Sequence, residues 1–323
     1  MSGNSHPPNL RYLAPVFLGL LVTGGQVGLP IIVLTALVSK NVSWHPTLIN
    51  LCVTWMIYSV IYCLYLYSGA NEQNPHRTLC TVQASMVHGA SPMSVVASLM
   101  VVVQMWSTIQ RIQSISLEKI PRGLRLGLML APPYVVFVGF AVGVAIVATS
   151  EPQIVYPSNG LYCKIYIERL SAVVPSFCAA VLSVILCFEV AISVQYYRQW
   201  TAIRRSFPLV IRQPSTRLWF RVGLFCLYSW VTLTSAILFL SDENTALAYM
   251  MPATIPLTSV LVFGMQKDII SSWGCVWRER KRSVVTLTLE VPSARATQRP
   301  DSLESMTPVK RFGARPWECD TPV

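Results

Sequence analysis

The 323-residue chain is too apolar and too sparsely charged for an ordinary soluble protein. Hydrophobic residues make up 53% of it and charged residues 12%, about half the charged share of a typical soluble domain, and its mean hydropathy is +0.50. The net charge of +11 does not indicate nucleic-acid binding, because the basic residues lie between apolar segments, where they orient membrane helices and contact anionic lipid. We therefore expect a multi-pass membrane protein.

Seven apolar segments follow one another along the chain, and we interpret each as a membrane-spanning helix. The last segment is the shortest and contains Pro252 and Pro256, which a membrane helix tolerates where neighbouring groups satisfy the freed carbonyls. The sequence thus predicts an all-α membrane protein, a seven-transmembrane helix bundle over residues 12–267, preceded by a short extracellular tail at residues 1–11. The predicted spans are Tyr12–Val38, Pro46–Tyr67, Leu79–Gln110, Leu124–Ala148, Leu170–Tyr197, Trp219–Leu240 and Ala246–Phe263.

Lysine and arginine are distributed unevenly between the two sides of this bundle. If the N-terminus lies outside, 21 of the 25 basic residues fall in inner segments and 4 in outer segments. The cytoplasmic loops of membrane proteins carry such an excess of positive charge. An even number of spans would place the basic C-terminal tail on the wrong side. We therefore expect an extracellular N-terminus and a cytoplasmic C-terminus.

Residues 268–282 follow the last span, and their sequence predicts a short amphipathic helix on the inner membrane surface. Four large apolar side chains recur there at helical spacing, just ahead of a basic stretch: Ile269, Ile270, Trp273 and Trp277. The alternative is an unstructured basic tail. Residues 283–323 are rich in Ser, Thr and Pro without apolar periodicity, which predicts a disordered cytoplasmic tail.

Two covalent modifications are compatible with this region. Arg280, Lys281 and Arg282 precede Ser283, a spacing that a basic-directed kinase recognises, and a phosphate at Ser283 would oppose the contact of this stretch with anionic lipid. Cys275 lies beside aromatic and basic residues just inside the membrane, where either S-palmitoylation or a plain buried thiol fits the sequence.

Most of the nine cysteines lie within the predicted spans, where they act as small apolar residues. Cys80 and Cys163 differ, because the first lies at the outer end of the third span and the second in the longest outer loop. Both face the oxidising side of the membrane, so a disulfide between them is permitted and would tie the loop over the mouth of the bundle. The alternative is two free thiols.

Polar side chains in the outer halves of the third and seventh spans are candidates for ligand binding. Gln83, His88 and Ser91 belong to the third span, and Tyr249 and Thr254 lie at a similar depth in the seventh. A membrane histidine more often donates a hydrogen bond to a neighbouring helix than contacts a ligand, so a structural role is the alternative for these residues.

Glu189, in the fifth span, is the only acidic residue within any predicted span. Intramembrane carboxylates mark functional sites by default, and the depth of Glu189 in the cytoplasmic third favours a switching network over an outer pocket. The alternative is a protonated, hydrogen-bonded structural glutamate. The other switch candidates are Gln104 and Arg111, near the inner end of the third span.

The inner loops are basic, and the one after the fifth span (RQWTAIRRSFPLVIRQPSTR) contains no acidic residue. Such a surface can dock an acidic groove or a helix of a partner protein. Plain orientation charge in contact with anionic inner-leaflet lipid is the alternative. The candidate contact residues are Arg122, Arg125, Arg204, Arg205, Arg212 and Arg217.

Enzymatic chemistry finds little support in the sequence. It contains no spaced His/Asp/Glu cluster for a metal, no Gly-rich phosphate loop and no nucleophile elbow, and the last span has no lysine for a retinal Schiff base. We expect no catalytic residue, no metal and no cofactor.

The predicted spans, the cysteine pair and the surface helix together resemble a G-protein-coupled receptor. The segments LCTVQASMVHGASPM and VFGMQKDIISSW are similar to fungal seven-transmembrane receptors loosely related to the cyclic-AMP-receptor-like group, and the resemblance extends from Tyr12 to Arg282. The inner end of the third span has WSTIQRIQ in place of Asp-Arg-Tyr, and the seventh span has no Asn-Pro-x-x-Tyr, so the chain differs from rhodopsin-like receptors.

This resemblance implies a plasma-membrane receptor that senses a small extracellular ligand or short peptide and couples to a heterotrimeric G protein. The basic inner loops would then contact the G protein. A membrane transporter or lipid translocator is the alternative function, and it requires a polar path through the whole membrane, for which Glu189 alone is thin support. A membrane scaffold without a ligand is a third possibility.

Overall fold

A computed structural model describes residues 10–39, 44–69, 77–113, 122–151, 154–156, 160–165, 168–206, 230–234, 236–237, 246–265 and 269–270. Within these residues the chain forms long helices and one short hairpin. The helices are α1 (Arg11–Val38), α2 (Pro46–Tyr67), α3 (Arg77–Gln113), the short α4 (Arg122–Leu130), α5 (Pro132–Ser150), α6 (Glu168–Ser206) and α7 (Ala246–Gly264), and the hairpin strands are β1 (Val155–Tyr156) and β2 (Lys164–Ile165).

Five of the described helical segments are long and apolar enough to cross a bilayer: Arg11–Val38, Pro46–Tyr67, Arg77–Thr108, Gly123–Ser150 and Ala172–Gln195. They coincide with the first five predicted spans and agree with an all-helical, multi-pass membrane protein. In α7 the apolar segment Tyr249–Gly264 is shorter than these five. The predicted sixth span, Trp219–Leu240, lies largely outside the described residues and is helical at 230–234 and 236–237.

The first helix changes its hydrogen-bonding pattern along its length. A 3₁₀ turn at Arg11–Leu13 leads into an α-helical part, then into a π-helical segment at Val22–Gly28, and then into α-helix again. The N–H of Leu29 bonds to the carbonyl of Gly24, five residues back. Pro30 follows at once and has no N–H of its own, so the wider turn accommodates a position where the regular pattern cannot continue.

The third helix lies at the centre of the described bundle. In its most apolar stretch, 67% of the residues are buried, whereas the corresponding share in the segment Gly123–Ser150 is 11%. The helix packs against α2, α5, α6 and the hairpin. This position shelters polar groups that would be costly in lipid. Ser94 and Ser98 are buried and donate to backbone carbonyls four residues back in the same helix. The prediction that this helix lies inside a bundle is confirmed.

The two ends of the bundle differ. The hairpin end comprises the start of α1, the end of α2, the start of α3, the end of α5 and the hairpin, in which Val155 pairs with Ile165. At the opposite end, α3 runs to Gln113 and α6 to Ser206. These helices have 37 and 39 residues, so they are about 56 and 58 Å long and exceed the roughly 30 Å of bilayer hydrocarbon.

After α7, the structure describes two residues of the predicted surface helix, Ile269 and Ile270, as helical. Ile269 is fully buried against Ile32 and Ala36 of α1, whereas Ile270 is half exposed. Ile269 therefore packs on α1 soon after α7 ends. The rest of residues 268–282, the tail at 283–323 and residues 1–9 lie outside the described residues.

Candidate functional site

Cys80 and Cys163 form a disulfide at the hairpin end, as predicted. Cys80 lies in the first turn of α3, and Cys163 directly precedes β2. Both are buried in an apolar cluster whose other members come from α2, α3, α5 and β2: Tyr65, Ala84, Val144, Ala148 and Ile165. The bridge fixes the hairpin to the central helix.

Gln83 lies one turn beyond Cys80 and is fully buried. Its side-chain amide donates to the carbonyls of Ile61 and Tyr62 in α2, at 2.9 and 3.4 Å from Nε2. Its Oε1 accepts the backbone N–H of Cys163 at 3.2 Å. One side chain thus joins α2, α3 and the hairpin, and a ligand could reach it only if one of these partners moved.

The other candidates on α3 also have partners within the bundle. His88 is 6% exposed, and its Nδ1 lies 2.8 Å from the carbonyl oxygen of Ala84 in the same helix. The Oγ of Ser91 lies 3.1 Å from the hydroxyl of Tyr62. Ser91 therefore belongs to a contact between α3 and α2, next to a group of aromatic rings.

Those rings fill the bundle beneath the hairpin. Tyr58 and Tyr62 stack at 4.3 Å between ring centroids, and Tyr62 meets Tyr162 of the hairpin turn at 4.9 Å. Phe17 of α1 and Tyr249 of α7 lie 6.3 and 6.5 Å from Tyr162. All five rings are buried. These separations are typical of interacting aromatic pairs.

Of this ring group, the sequence pointed to Tyr249 alone. Tyr162 was detectable as the neighbour of Cys163, and Tyr58 and Tyr62 as a pair four residues apart on one helix face. Thr254 is set apart from the group, and its hydroxyl donates to the carbonyl of Met251 in its own helix. A further open depression of about 450 Å³ is lined by Arg77, Thr78, Leu79 and Val82, none of which is a predicted ligand residue.

At the opposite end, Gln104 and Arg125 belong to one polar contact. Arg125 Nη2 donates to Ser107 Oγ at 3.0 Å, and that hydroxyl lies 3.5 Å from Gln104 Oε1. This contact joins the short helix α4 to the part of α3 farther from the hairpin. The predicted switch residue Gln104 and the predicted partner-contact residue Arg125 are therefore close together.

The structure places the backbones of four other predicted arginines in helices at this end. Arg111 is in the last turn of α3, Arg122 begins α4, and Arg204 and Arg205 are in the last turn of α6. Four further candidates, Arg212, Arg217, Cys275 and Ser283, lie outside the described residues.

Glu189 is buried in α6 at 5% exposure. It lies on the same helix face as Ile185 and Ile192, which pack with Val102 of α3. Beside it, Phe188 contacts Trp106 of α3 at 6.0 Å between ring centroids. The carboxyl group is therefore at the interface between the two longest helices, in the half of the bundle farther from the hairpin.

No protein-family model matches the sequence, and a comparison with curated proteins finds no significant match.

Proposed function

We propose that this chain is a plasma-membrane receptor that senses an extracellular ligand at the hairpin end and couples to a heterotrimeric G protein at the opposite end. The proposal includes seven spans, an extracellular N-terminus and a cytoplasmic C-terminus. The ligand is a small molecule or a short peptide.

One observation carries the proposal: a single, largely buried helix runs from the disulfide-fixed hairpin to the end of the bundle that carries Arg111 and Arg125. At one end of α3, Cys80 and Gln83 hold the hairpin. At the other end, Ser107 accepts a hydrogen bond from Arg125 of α4. A change in how the hairpin packs therefore has a direct mechanical route, along one helix, to the surface where a partner would bind.

The length of α3 and α6 supports the same interpretation. Both exceed the thickness of the bilayer, and Arg111, Arg204 and Arg205 lie in their last turns. A basic surface at these helix ends would fit an acidic groove or a helix of a partner. The oxidising environment that a stable disulfide requires supports placing the hairpin outside the cell.

The mechanism follows from a two-state bundle. A ligand that binds one arrangement of the hairpin end more tightly than the other shifts the population of the whole bundle. Such a shift would rearrange two sets of polar groups. One is Glu189 at the α3–α6 interface, and the other is the hydrogen-bonded group of Gln104, Ser107 and Arg125.

Co-purification with Gα subunits tests the proposal. We expect a complex with the full-length protein in the absence of nucleotide, and its release by a non-hydrolysable GTP analogue. The double variant Arg204→Glu/Arg205→Glu should lose the complex. The control Arg77→Glu, at the hairpin end of α3, should keep it.

The receptor proposal would be overturned if none of the Gα classes tested formed a nucleotide-sensitive complex with the protein. Flux of a solute or lipid across vesicles containing the purified protein, without such a complex, would instead favour a transporter or lipid translocator.

A further inference from the structure

The described part of the hairpin turn, residues 160–163, is buried although it belongs to a loop. Leu161 and Cys163 have no exposed surface, and Tyr162 is 6% exposed. Loops usually run over the surface, because their backbone groups need water or other partners. Gly160, at a φ of +72°, allows the sharp change of direction that brings the turn down into the bundle.

The side chain of Tyr162 occupies a space enclosed by one ring from each of three helices. Its ring centroid lies 4.9 Å from that of Tyr62 (α2), 6.3 Å from that of Phe17 (α1) and 6.5 Å from that of Tyr249 (α7). We call Phe17, Tyr62 and Tyr249 the ring pocket. The walls of this pocket belong to the helical bundle, whereas its content belongs to the loop.

Two of the interactions that hold the loop in this position differ in strength. The disulfide to Cys80 is covalent and fixes Cys163 close to α3. The hydrogen bond from the backbone N–H of Cys163 to Gln83 Oε1 is weaker and can be broken without breaking the bridge. Tyr162 can therefore leave the ring pocket while the loop stays attached to the bundle.

We propose that the ring pocket is a binding site for an aromatic group of the ligand, and that Tyr162 is a tethered plug that occupies it in the unliganded state. The bound group is a phenol or a similar planar ring, because edge-to-face and stacked contacts with three rings favour an aromatic surface. This inference rests on the proposed receptor function for its physiological role, but the pocket and the plug are testable without a G protein.

The proposal accounts for the burial of the predicted ligand residues. Gln83 and Tyr249 have almost no exposed surface and each contacts the turn, and Ser91 bonds to Tyr62, a wall of the pocket. Displacing Tyr162 breaks the Gln83–Cys163 bond, so a ligand in the pocket changes a contact made by α3 itself. This provides the route from ligand to central helix.

Binding of p-cresol, which has the shape of a tyrosine side chain, tests the pocket in the purified full-length protein. We expect Tyr162→Ala to bind p-cresol saturably and at least about ten-fold more tightly than wild type, because the plug reduces the fraction of binding-competent molecules. Tyr162→Phe keeps the ring and should bind as weakly as wild type. Equal binding by all three proteins would overturn the proposal.

Amide hydrogen exchange across residues 160–165 tests the plug in proteins that keep Tyr162. We expect p-cresol to accelerate exchange in wild type, because bound ligand holds the turn out of the pocket. Gln83→Ala should accelerate amide exchange in the absence of ligand and should tighten p-cresol binding by a similar factor. Both the exchange rate and the affinity depend on the fraction of molecules in which Tyr162 has left the ring pocket. Thr81→Ala is the control, because the Thr81 hydroxyl bonds to the backbone carbonyl of Arg77 in its own helix.

If p-cresol leaves exchange in wild type unchanged at concentrations that saturate its own binding to wild type, Tyr162 is a fixed part of the core. That result would not bear on the proposed G-protein coupling. Conversely, a failure of coupling would not bear on the results for p-cresol binding and amide exchange.

Discussion

Gly24 of α1 lies so close to Leu257 of α7 that a Cβ on the glycine would overlap the backbone nitrogen of the leucine. The contact falls in the π-helical segment of α1 and beside Pro256, which interrupts the hydrogen bonding of α7. Gly25 makes a similar approach to Ser59 of α2. Small residues let membrane helices approach this closely, and van der Waals packing then supplies much of the attraction. The segment Val22–Gly28 thus joins α1 to both α2 and α7.

Gly24→Ala should destabilise this junction. The added methyl group meets backbone atoms of α7, which cannot move aside as a side chain would, so we expect a loss of about 1–3 kcal/mol or more. Thermal unfolding of the purified protein in detergent measures this. Gly19→Ala in the same helix is the control, because a Cβ there has no neighbour within 4 Å. Equal unfolding midpoints for the two variants would contradict the close contact.

His45 caps the N-terminus of α2 and makes the stability of that helix sensitive to pH. Its Nδ1 accepts the backbone N–H of Thr47 at 3.3 Å, which requires an unprotonated Nδ1. Burial lowers the pKa of His45 below its ordinary value of 6.5. The folded protein thus binds this proton more weakly than the unfolded chain does, so the stabilisation is complete above about pH 6.5 and is lost as the pH falls through the folded-state pKa.

The variant His45→Asn tests this assignment, since asparagine caps helices without titrating in this range. We expect the difference in unfolding midpoint between the variant and wild type to shift in favour of the variant as the pH is lowered from 7.5 to 5. His45→Ala should lose about 1 kcal/mol at neutral pH. A pH-independent difference between wild type and His45→Asn would show that His45 is not the titrating group.

Ile269 and Ile270 are adjacent but should respond differently to truncation. Ile269 is fully buried against α1, beside Trp44 and Phe263, whereas Ile270 is 51% exposed. We expect Ile269→Ala to cost about 2–5 kcal/mol and Ile270→Ala to change stability little. Unfolding midpoints in detergent compare the two. If both variants behaved alike, the segment after α7 would not be docked on α1.

The hydrogen bond from Arg125 to Ser107 should stabilise α4 against α3. Ser107→Ala removes the acceptor, and we expect a loss of about 1 kcal/mol with faster amide exchange in α4, because the guanidinium is partly exposed and water replaces part of the bond. Thr108→Ala is the matched control, since the Thr108 hydroxyl bonds to the Gln104 carbonyl of its own helix. Unchanged exchange in α4 after Ser107→Ala would mean that this bond does not hold the two helices together.

The sequence predicted the features that depend on local composition. Apolar segments were sufficient to predict the five long apolar segments up to α6, and the expected oxidising outer side was sufficient to suggest the Cys80–Cys163 bridge. The π-helical part of α1 was not predicted, because its cause is the combination of Pro30 with close contacts to α2 and α7. The separation of α4 from α5 follows from Pro132 and Pro133 and was detectable in the sequence, although one continuous span was predicted.

The role of Gln83 could not be predicted from spacing. As a polar residue in the outer half of a span, it suited a ligand contact, yet the acceptors and the donor of its hydrogen bonds are backbone groups 22, 21 and 80 residues away. Backbone partners leave no trace in the sequence, because every residue type offers the same carbonyl and nearly all offer the same N–H. The burial of Tyr162 was hidden for the same reason, since only the folded hairpin brings its ring between three helices.

The rate of nucleotide exchange on a purified heterotrimeric G protein tests coupling most directly. With the full-length protein reconstituted in lipid vesicles, the account predicts faster exchange on at least one class of Gα than empty vesicles support, and loss of that acceleration in Arg204→Glu/Arg205→Glu. The receptor account would be contradicted if nucleotide exchange stayed at the empty-vesicle rate for every Gα class. This result would have to hold both for wild type and for the unplugged variant Tyr162→Ala bound to p-cresol.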